Sequence, residues 1–372
     1  MKLFFLLLFI PFYAVSVYAQ NRSINFEHGT MAEALTKATK ENKLVFVDCF
    51  TVWCGPCKGM AATVFTQDSV ADFFNSKFIN VKMDMEKGEG IAMAIKYRVE
   101  AYPSFLLLDN KGTVVFKFVG GMTSGMFMAK IREGANPKNR IAIMDKRYAD
   151  GDRSPALLRD YIKVKIEMLE KTLGKTIAED YFKRLTPKER TLRENWFLFG
   201  ENRYSMYLSN IYSSNFNYLA DHWKEFSGTI PKDSIESKLG SSYLQIAGYC
   251  LRGWYFKQKA YDKNDFDRYL TQLQSTELKD KNQLIILMKV AQSAGEKDTA
   301  TIVNLLADNI ATFSEVNKKI LFDFAFMFKR PVSALTKNIR CKEIFDKVIQ
   351  TSSNKGLINT AEACRKNIIV TL

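Results

Sequence analysis

The sequence has little histidine and cysteine, which excludes some kinds of metal and disulfide protein. It contains two histidines and six cysteines among 372 residues. A zinc site needs several sulfur or imidazole ligands, and neither His28 nor His222 lies at a helpful spacing from a cysteine pair. Six cysteines in a chain of this length do not form a disulfide scaffold. The cysteines therefore indicate a local site, and we expect no metal and no cofactor.

Long hydrophobic runs are confined to the N-terminus. Leu3–Phe12 is apolar and follows the positive charge of Lys2, and residues 17–19 fit a small-residue cleavage site. The run is short for a membrane anchor, and no other run is long enough to span a bilayer. No cysteine follows it, which argues against lipid attachment. We expect residues 1–19 to be a signal peptide and the protein to be exported, into the periplasm if the source is Gram-negative.

Long blocks of lysine or arginine are also absent, although the formal net charge is +14. Most of the positive excess lies in residues 145–372. A basic surface can attract nucleic acid, anionic lipid or acidic proteins. Without a basic block, a solvated surface is the simpler interpretation, and we expect no nucleic-acid partner.

The most informative stretch joins an apolar run to a Cys-x-x-Cys pair. Leu44–Phe50 is predicted to be a buried strand, and Lys58–Phe65 the start of a helix. Cys54 and Cys57 then lie at the helix N-terminus, close enough to bridge, where free N–H groups and the helix dipole favour a thiolate. Disulfide exchange needs one sulfur to attack and a second to resolve the mixed disulfide. We assign these roles to Cys54 and Cys57, and a structural disulfide or half of a zinc site is the competing interpretation.

Asp48 interrupts the apolar strand six residues before Cys54. A carboxyl group buried there has a raised pKa, which makes it a candidate general base for Cys57. A solvent-facing residue at a strand end is the alternative. The predicted catalytic residues are Cys54, Cys57 and Asp48.

The residues around this pair resemble the thioredoxin family. Asp48 with Trp53-Cys54-Gly55-Pro56-Cys57-Lys58 resembles its active-site strand and turn, Tyr102-Pro103-Ser104 its cis-proline loop, and Gly120-Gly121 the glycine before its last helix. The similarity covers residues 26–133. Its details are most similar to periplasmic thioredoxin-like domains, including the C-terminal domain of transmembrane thiol reductases.

This resemblance implies a fold and a substrate site. Residues 20–136 are expected to form an α/β thioredoxin-like sandwich with a cis peptide before Pro103. Tyr102 should lie beside the sulfurs, where its backbone can pair with an extended substrate. The implied substrate-binding residues are Trp53, Gly55, Pro56, Tyr102 and Pro103. The lysine that usually pairs with the family's buried aspartate falls on Asn80, and Lys82 is the candidate substitute.

Strand signals vanish after residue 141, and residues 145–372 are predicted to form an all-α domain. Ser154-Pro155 is typical of a helix start, and the sequence predicts a helix from there to about Lys171. Thr186 with Glu189 forms a capping-box pattern. Helical repeats are possible, but no clean period of about 34 residues occurs.

Two functions are compatible with these observations. The first is an exported thiol–disulfide oxidoreductase that reduces disulfides in client proteins, since the Gly-Pro dipeptide resembles that of the strongly reducing thioredoxins. The helical domain would then select clients, and a membrane thiol reductase would supply electrons. The alternative is a binding or adaptor protein whose helical domain is the main functional unit and whose thioredoxin-like domain is accessory.

Overall fold

The computed structural model describes residues 22–136, 140–327, 339–366 and residue 368, which fall into two compact units. The first unit ends at Gly174 and the second begins at Lys175. The expected signal peptide, residues 1–19, lies outside the described residues. The expected domain limits, 20–136 and 145–372, stay a prediction, and the first compact unit also contains helices beyond residue 136.

The first unit is built on a mixed four-stranded sheet. Its elements are α1 (Met31–Glu41), β1 (Leu44–Phe50), α2 (Gly55–Thr63), α3 (Asp68–Lys77), β2 (Phe78–Asp84), α4 (Glu89–Lys96), β3 (Ser104–Leu108), β4 (Val114–Val119), α5 (Ser124–Gly134), α6 (Arg140–Ala149) and α7 (Pro155–Glu167). The strand order is β2-β1-β3-β4, with β1 parallel to β2 and antiparallel to β3. The predicted α/β thioredoxin-like sandwich is confirmed.

Each face of the sheet buries its own apolar core, because successive strand residues point to opposite sides. One face is aromatic, with Phe46, Phe74, Phe105 and Phe127 in mutual ring contact. The other face buries aliphatic residues under α1 and α4, among them Val45, Val47, Leu106, Leu108, Ala34, Ala38 and Met93. The central strand β1 is therefore covered on both sides, which holds its C-terminal end rigidly in place.

Local sequence signals account for several helix ends. The Thr30 side chain accepts from the Glu33 N–H and the Glu33 side chain accepts from the Thr30 N–H, so the capping box is formed. Pro155 occupies the first turn of α7, as predicted, although that helix ends at Glu167 and not near Lys171. Met168–Glu170 interrupts the helical run, and a further helix, α8 (Lys171–Arg184), follows.

The second unit is helical, and its described residues contain no strand. Its helices are α9 (Pro187–Arg190), α10 (Ser205–Leu208), α11 (Ser214–Asp221), α12 (Trp223–Phe226), α13 (Lys232–Leu251), α14 (Tyr255–Gln258), α15 (Lys263–Ser275), α16 (Lys281–Gly295), α17 (Thr299–Asn309), α18 (Ile320–Phe326), α19 (Ile339–Thr351) and α20 (Lys355–Arg365), with 3₁₀ turns at Arg193–Leu198, Ile310–Thr312 and Asn317–Lys319. The capping box of Thr186 and Glu189 opens only the short α9.

Candidate active site

The two predicted redox cysteines are joined where β1 gives way to α2. Cys54 is the N-cap of α2, and a disulfide connects it to Cys57, with their Cα atoms 5.3 Å apart. The Cys54 Sγ accepts a hydrogen bond of 3.1 Å from the Cys57 N–H. Both cysteines are buried, at 3% and 6% exposure. Once the pair is reduced, the same N–H and the helix dipole favour negative charge on Cys54.

Asp48 lies inside the sheet, as predicted, at 3% exposure. Burial raises the pKa of its carboxyl group to about 7, and the charge of Lys82 partly opposes this rise. Lys82 stands opposite Asp48 in the β1–β2 register, over the ring of Phe50. Asn80 is buried and donates to the backbone oxygen of Asn25 at 3.3 Å. The charge of Lys82 therefore acts on the Asp48 carboxyl group, and its substitution for the family's lysine stays a prediction. A group with a pKa near 7 can accept and return a proton at neutral pH.

Trp53 is an exposed aromatic residue of the site, at 64% exposure. Its Nε1–H donates to both carboxylate oxygens of Glu86, at 3.0 and 2.9 Å. Its ring meets that of Tyr102 edge to face, with centroids 6.0 Å apart. Trp53 is thus fixed from two sides and presents an apolar surface beside the cysteines.

The loop before β3 carries the other predicted substrate-binding residues. The Tyr102–Pro103 peptide bond is cis, which confirms the expectation. The Pro103 carbonyl accepts from the Gly120 N–H at 2.9 Å, and Gly120 has a φ of 103°. A Cβ on Gly121 would come within 3.3 Å of the Pro56 Cβ, so the glycine lets the connection between β4 and α5 approach the active-site turn. The structure thereby brings Gly55, Pro56 and the cis-proline loop to one end of the sheet.

Sequence reasoning missed two charged residues of this unit. Glu86 accepts the indole N–H of Trp53 and so anchors it, a contact that no local sequence pattern predicts. Lys117 lies in the otherwise apolar strand β4 and is 1% exposed. A lone lysine within an apolar strand was the available signal for it, since a buried lysine requires partners.

The remaining cysteines lie apart from this chemistry. Cys49, Cys250 and Cys341 are buried thiols, and burial raises the pKa of each. Cys341 carries a free thiol, so no disulfide joins it to Cys364. Within the described ranges, no three His, Cys, Asp or Glu side chains are grouped so as to hold a metal ion. Among the helices that can be described, none has the length and apolar character needed to cross a membrane.

A mixed sheet with a dithiol–disulfide pair at a helix N-terminus and an adjacent cis-proline loop defines a domain of the thioredoxin-fold oxidoreductase class. Residues 27–133 match the family Thioredoxin. The chain is 37% identical over 94 residues to a thioredoxin of Echinococcus granulosus, covering 25% of this chain and 81% of that protein. It is 33% identical over 97 residues to the chloroplastic thioredoxin Y1 of Arabidopsis thaliana, covering 26% of this chain and 53% of that protein. The chain belongs to the thioredoxin family.

A solved structure gives a further comparison. A protein described as a putative disulphide-isomerase from Bacteroides thetaiotaomicron is 46% identical, with 32% of this chain and 98% of that chain covered, at a TM-score of 0.30. The family match ends at residue 133, before the helices of the second unit begin.

Proposed function

We propose that the protein is an exported thiol–disulfide oxidoreductase that reduces disulfides in client proteins. The cysteine pair at the N-terminus of α2, beside the exposed Trp53, is the observation on which this proposal rests. The family membership supports the reaction class, and the apolar residues 3–12 with the cleavage pattern after them support export.

The reaction begins with the reduced pair. The Cys54 thiolate attacks one sulfur of the client disulfide, a bond forms between them, and the second client sulfur leaves as a thiolate that takes a proton from water. Cys57 then loses its proton to the Asp48 carboxylate and attacks the Cys54 sulfur, which breaks the bond between Cys54 and the client. The departing client thiolate takes the proton back from Asp48. The client is released with both thiols, and the protein keeps the Cys54–Cys57 disulfide. Two electrons have moved from protein to client.

Repeated turnover requires an electron donor. In an oxidising compartment the disulfide must be reduced by an external dithiol, and a membrane thiol reductase is the donor class that fits an exported protein. The protein would then contribute to redox homeostasis outside the cytoplasm.

Replacing the attacking sulfur tests the proposed reaction. Cys54→Ser should abolish reduction of insulin disulfides with dithiothreitol as donor, because the hydroxyl is a poor nucleophile at neutral pH. Cys250→Ala is the matched control, since Cys250 is a buried thiol of the second unit and should leave the rate unchanged. Undiminished reduction by Cys54→Ser would end the proposal.

The second unit offers surfaces for client selection. One groove of about 570 Å³ is lined by residues including Leu244, Leu284 and the exposed Val316. Another, of about 560 Å³, includes Ile211, Tyr249 and the exposed Met206. Apolar side chains at open grooves can hold unfolded or extended client segments.

Mixed-disulfide trapping tests this selection. Cys57→Ser in the full chain leaves Cys54 bound to its clients, which can then be identified. Adding Met206→Glu and Val316→Glu should change the set of captured proteins, whereas an unchanged set would exclude these grooves from selection. A cysteine pair that is inert toward disulfides, together with non-covalent partner capture that the two substitutions abolish, would favour the adaptor function.

A further inference from the structure

Three buried charged side chains and the partly exposed Asp145, at 32% side-chain exposure, form a network in the first unit. Lys117 Nζ lies 3.6 Å from Glu170 Oε1, and Glu170 Oε2 lies 3.5 Å from Lys165 Nζ. Lys165 Nζ is also 2.8 Å from Asp145 Oδ1. The side chains of Lys117, Lys165 and Glu170 are 1%, 5% and 8% exposed. Two cations and two carboxylates balance, which buried charges require.

Lys117 connects this network to the substrate loop. Its Nζ donates to the carbonyl oxygens of Tyr97 and Arg98, at 3.2 and 2.5 Å. These carbonyls follow the last residue of α4, where helix geometry leaves acceptors without partners. The chain runs from there through residues 99–101 directly into the cis Tyr102–Pro103 peptide. The Lys117 ammonium therefore fixes the base of the loop that contacts Trp53.

The carboxylate that faces Lys117 comes from outside the family-matched residues, which end at 133. Glu170 follows Leu169, which has a φ of 58°, and the Glu170 N–H donates to the Lys165 carbonyl at 2.9 Å. The Leu169 N–H donates to the Ile166 carbonyl at 3.0 Å. This pair of bonds is a Schellman motif, and it places the Glu170 side chain rigidly at the end of α7.

We propose that Glu170 is a positioning residue of the redox site, which holds Lys117 against the Tyr97 and Arg98 carbonyls and so fixes the Tyr102–Pro103 loop for protein substrates. The inference rests on the proposed disulfide reductase function. It makes α6, α7 and the turn at Glu170 part of the working redox unit.

Removing the Glu170 charge should weaken the loop without touching the cysteines. In Glu170→Gln, Lys117 becomes a buried ammonium that lacks its facing carboxylate, an arrangement that is strongly unfavourable. Lys117 then moves toward water, which takes its donor away from the two carbonyls, or loses a proton, which leaves them the weaker N–H donors of a neutral amine. A protein client pairs with the loop backbone, whereas a small disulfide needs only access to Cys54.

The experiment compares two substrates in the full chain. For Glu170→Gln we expect kcat/KM toward insulin to fall about tenfold, mainly through KM, since small displacements of binding groups have effects of that order. The rate with 5,5′-dithiobis(2-nitrobenzoate) and the Cys54–Cys57 reduction potential should stay at the wild-type values. Glu167→Gln is the matched control, because Glu167 is an exposed glutamate at the last residue of α7, three residues before Glu170. Equal loss toward both substrates, or no loss toward insulin, would overturn the inference.

Two further measurements separate positioning from stability. Lys117→Met combined with Glu170→Met replaces the pair by apolar side chains, which should restore the unfolding temperature but not insulin reduction. Recovery of both would show a purely structural role and refute the proposal. Amide hydrogen exchange at residues 99–102 should be faster in Glu170→Gln than in the wild type. Unchanged exchange at these residues would refute the positioning role of Glu170. This measurement does not depend on reductase activity. A wild-type chain that reduces neither disulfide would instead refute the proposed function alone.

Discussion

Asp48 carries an ionisable group into an apolar strand, and this links the stability of the first unit to pH. Its pKa in the folded protein is about 7, above the value of 3.8 for an unperturbed aspartate, because burial disfavours the charged form. The folded protein therefore retains a proton that the unfolded chain releases. The contribution of Asp48 to stability is fully present below pH 4 and is lost as the pH rises toward 7.

We expect Asp48→Asn to be more stable than the wild type at pH 8 and nearly equal to it at pH 4. The difference in the free energy of unfolding between the variant and the wild type should grow from pH 4 to pH 7 and level off above pH 7. For a shift of about three pKa units it should reach about 4 kcal/mol. Denaturant unfolding at a series of pH values measures it. Asp72→Asn is the control, since Asp72 is an exposed residue paired with Arg22, and its stability curve should run parallel to that of the wild type. A pH-independent difference for Asp48→Asn would show that Asp48 does not titrate in this range.

Residues whose roles follow from local sequence were predictable, and residues whose roles depend on distant partners were not. Cys54 and Cys57 are three residues apart at a helix start, so chain geometry alone brings their sulfurs together. Asp48 was recognisable because it interrupts an apolar strand. Glu86 meets Trp53 and Glu170 meets Lys117 only through the tertiary fold. No periodicity or local spacing encodes such contacts.

Secondary-structure elements were also predictable where the signal lies in the local sequence. Most differences between the predicted and the observed elements lie at helix ends. The central strand β1 is a short apolar run, and the sequence predicted its bounds, Leu44–Phe50, as the structure has them. The break between α7 and α8 was missed because its left-handed residue is Leu169 and not glycine. Glycine is the usual signal for such an end, so a leucine there hides the boundary.

The end of α16 offers a test of this explanation. Lys297 has a φ of 61°, its N–H donates to the Ala294 carbonyl, and the Asp298 N–H donates to the Ser293 carbonyl. This is a Schellman motif with an exposed lysine at the left-handed position. Lys297→Gly should stabilise the second unit by about 1 kcal/mol, because glycine has no Cβ to strain this conformation.

Lys297→Ala is the control for that substitution. It removes the same lysine side chain but keeps the Cβ, so its unfolding midpoint should stay close to that of the wild type. Thermal unfolding followed by circular dichroism measures all three proteins. If alanine and glycine stabilise the unit equally, the gain comes from losing the lysine charge and the conformational explanation is wrong.

At the scale of the whole molecule, the family-matched residues and the first compact unit have different ends, at 133 and 174. The added helices bring Ile141 against the aromatic core and Glu170 against Lys117. A fragment of residues 22–174 should therefore unfold cooperatively. A fragment of residues 22–136 should unfold at a temperature lower by about 5 °C or more, since a loss of one kcal/mol shifts a domain of this size by several degrees. Circular dichroism melts of the two fragments measure this difference. Equal unfolding temperatures of the two fragments would show that α6 and α7 do not stabilise the thioredoxin-like residues. The boundary at residue 174 would then not mark the end of a cooperative unit.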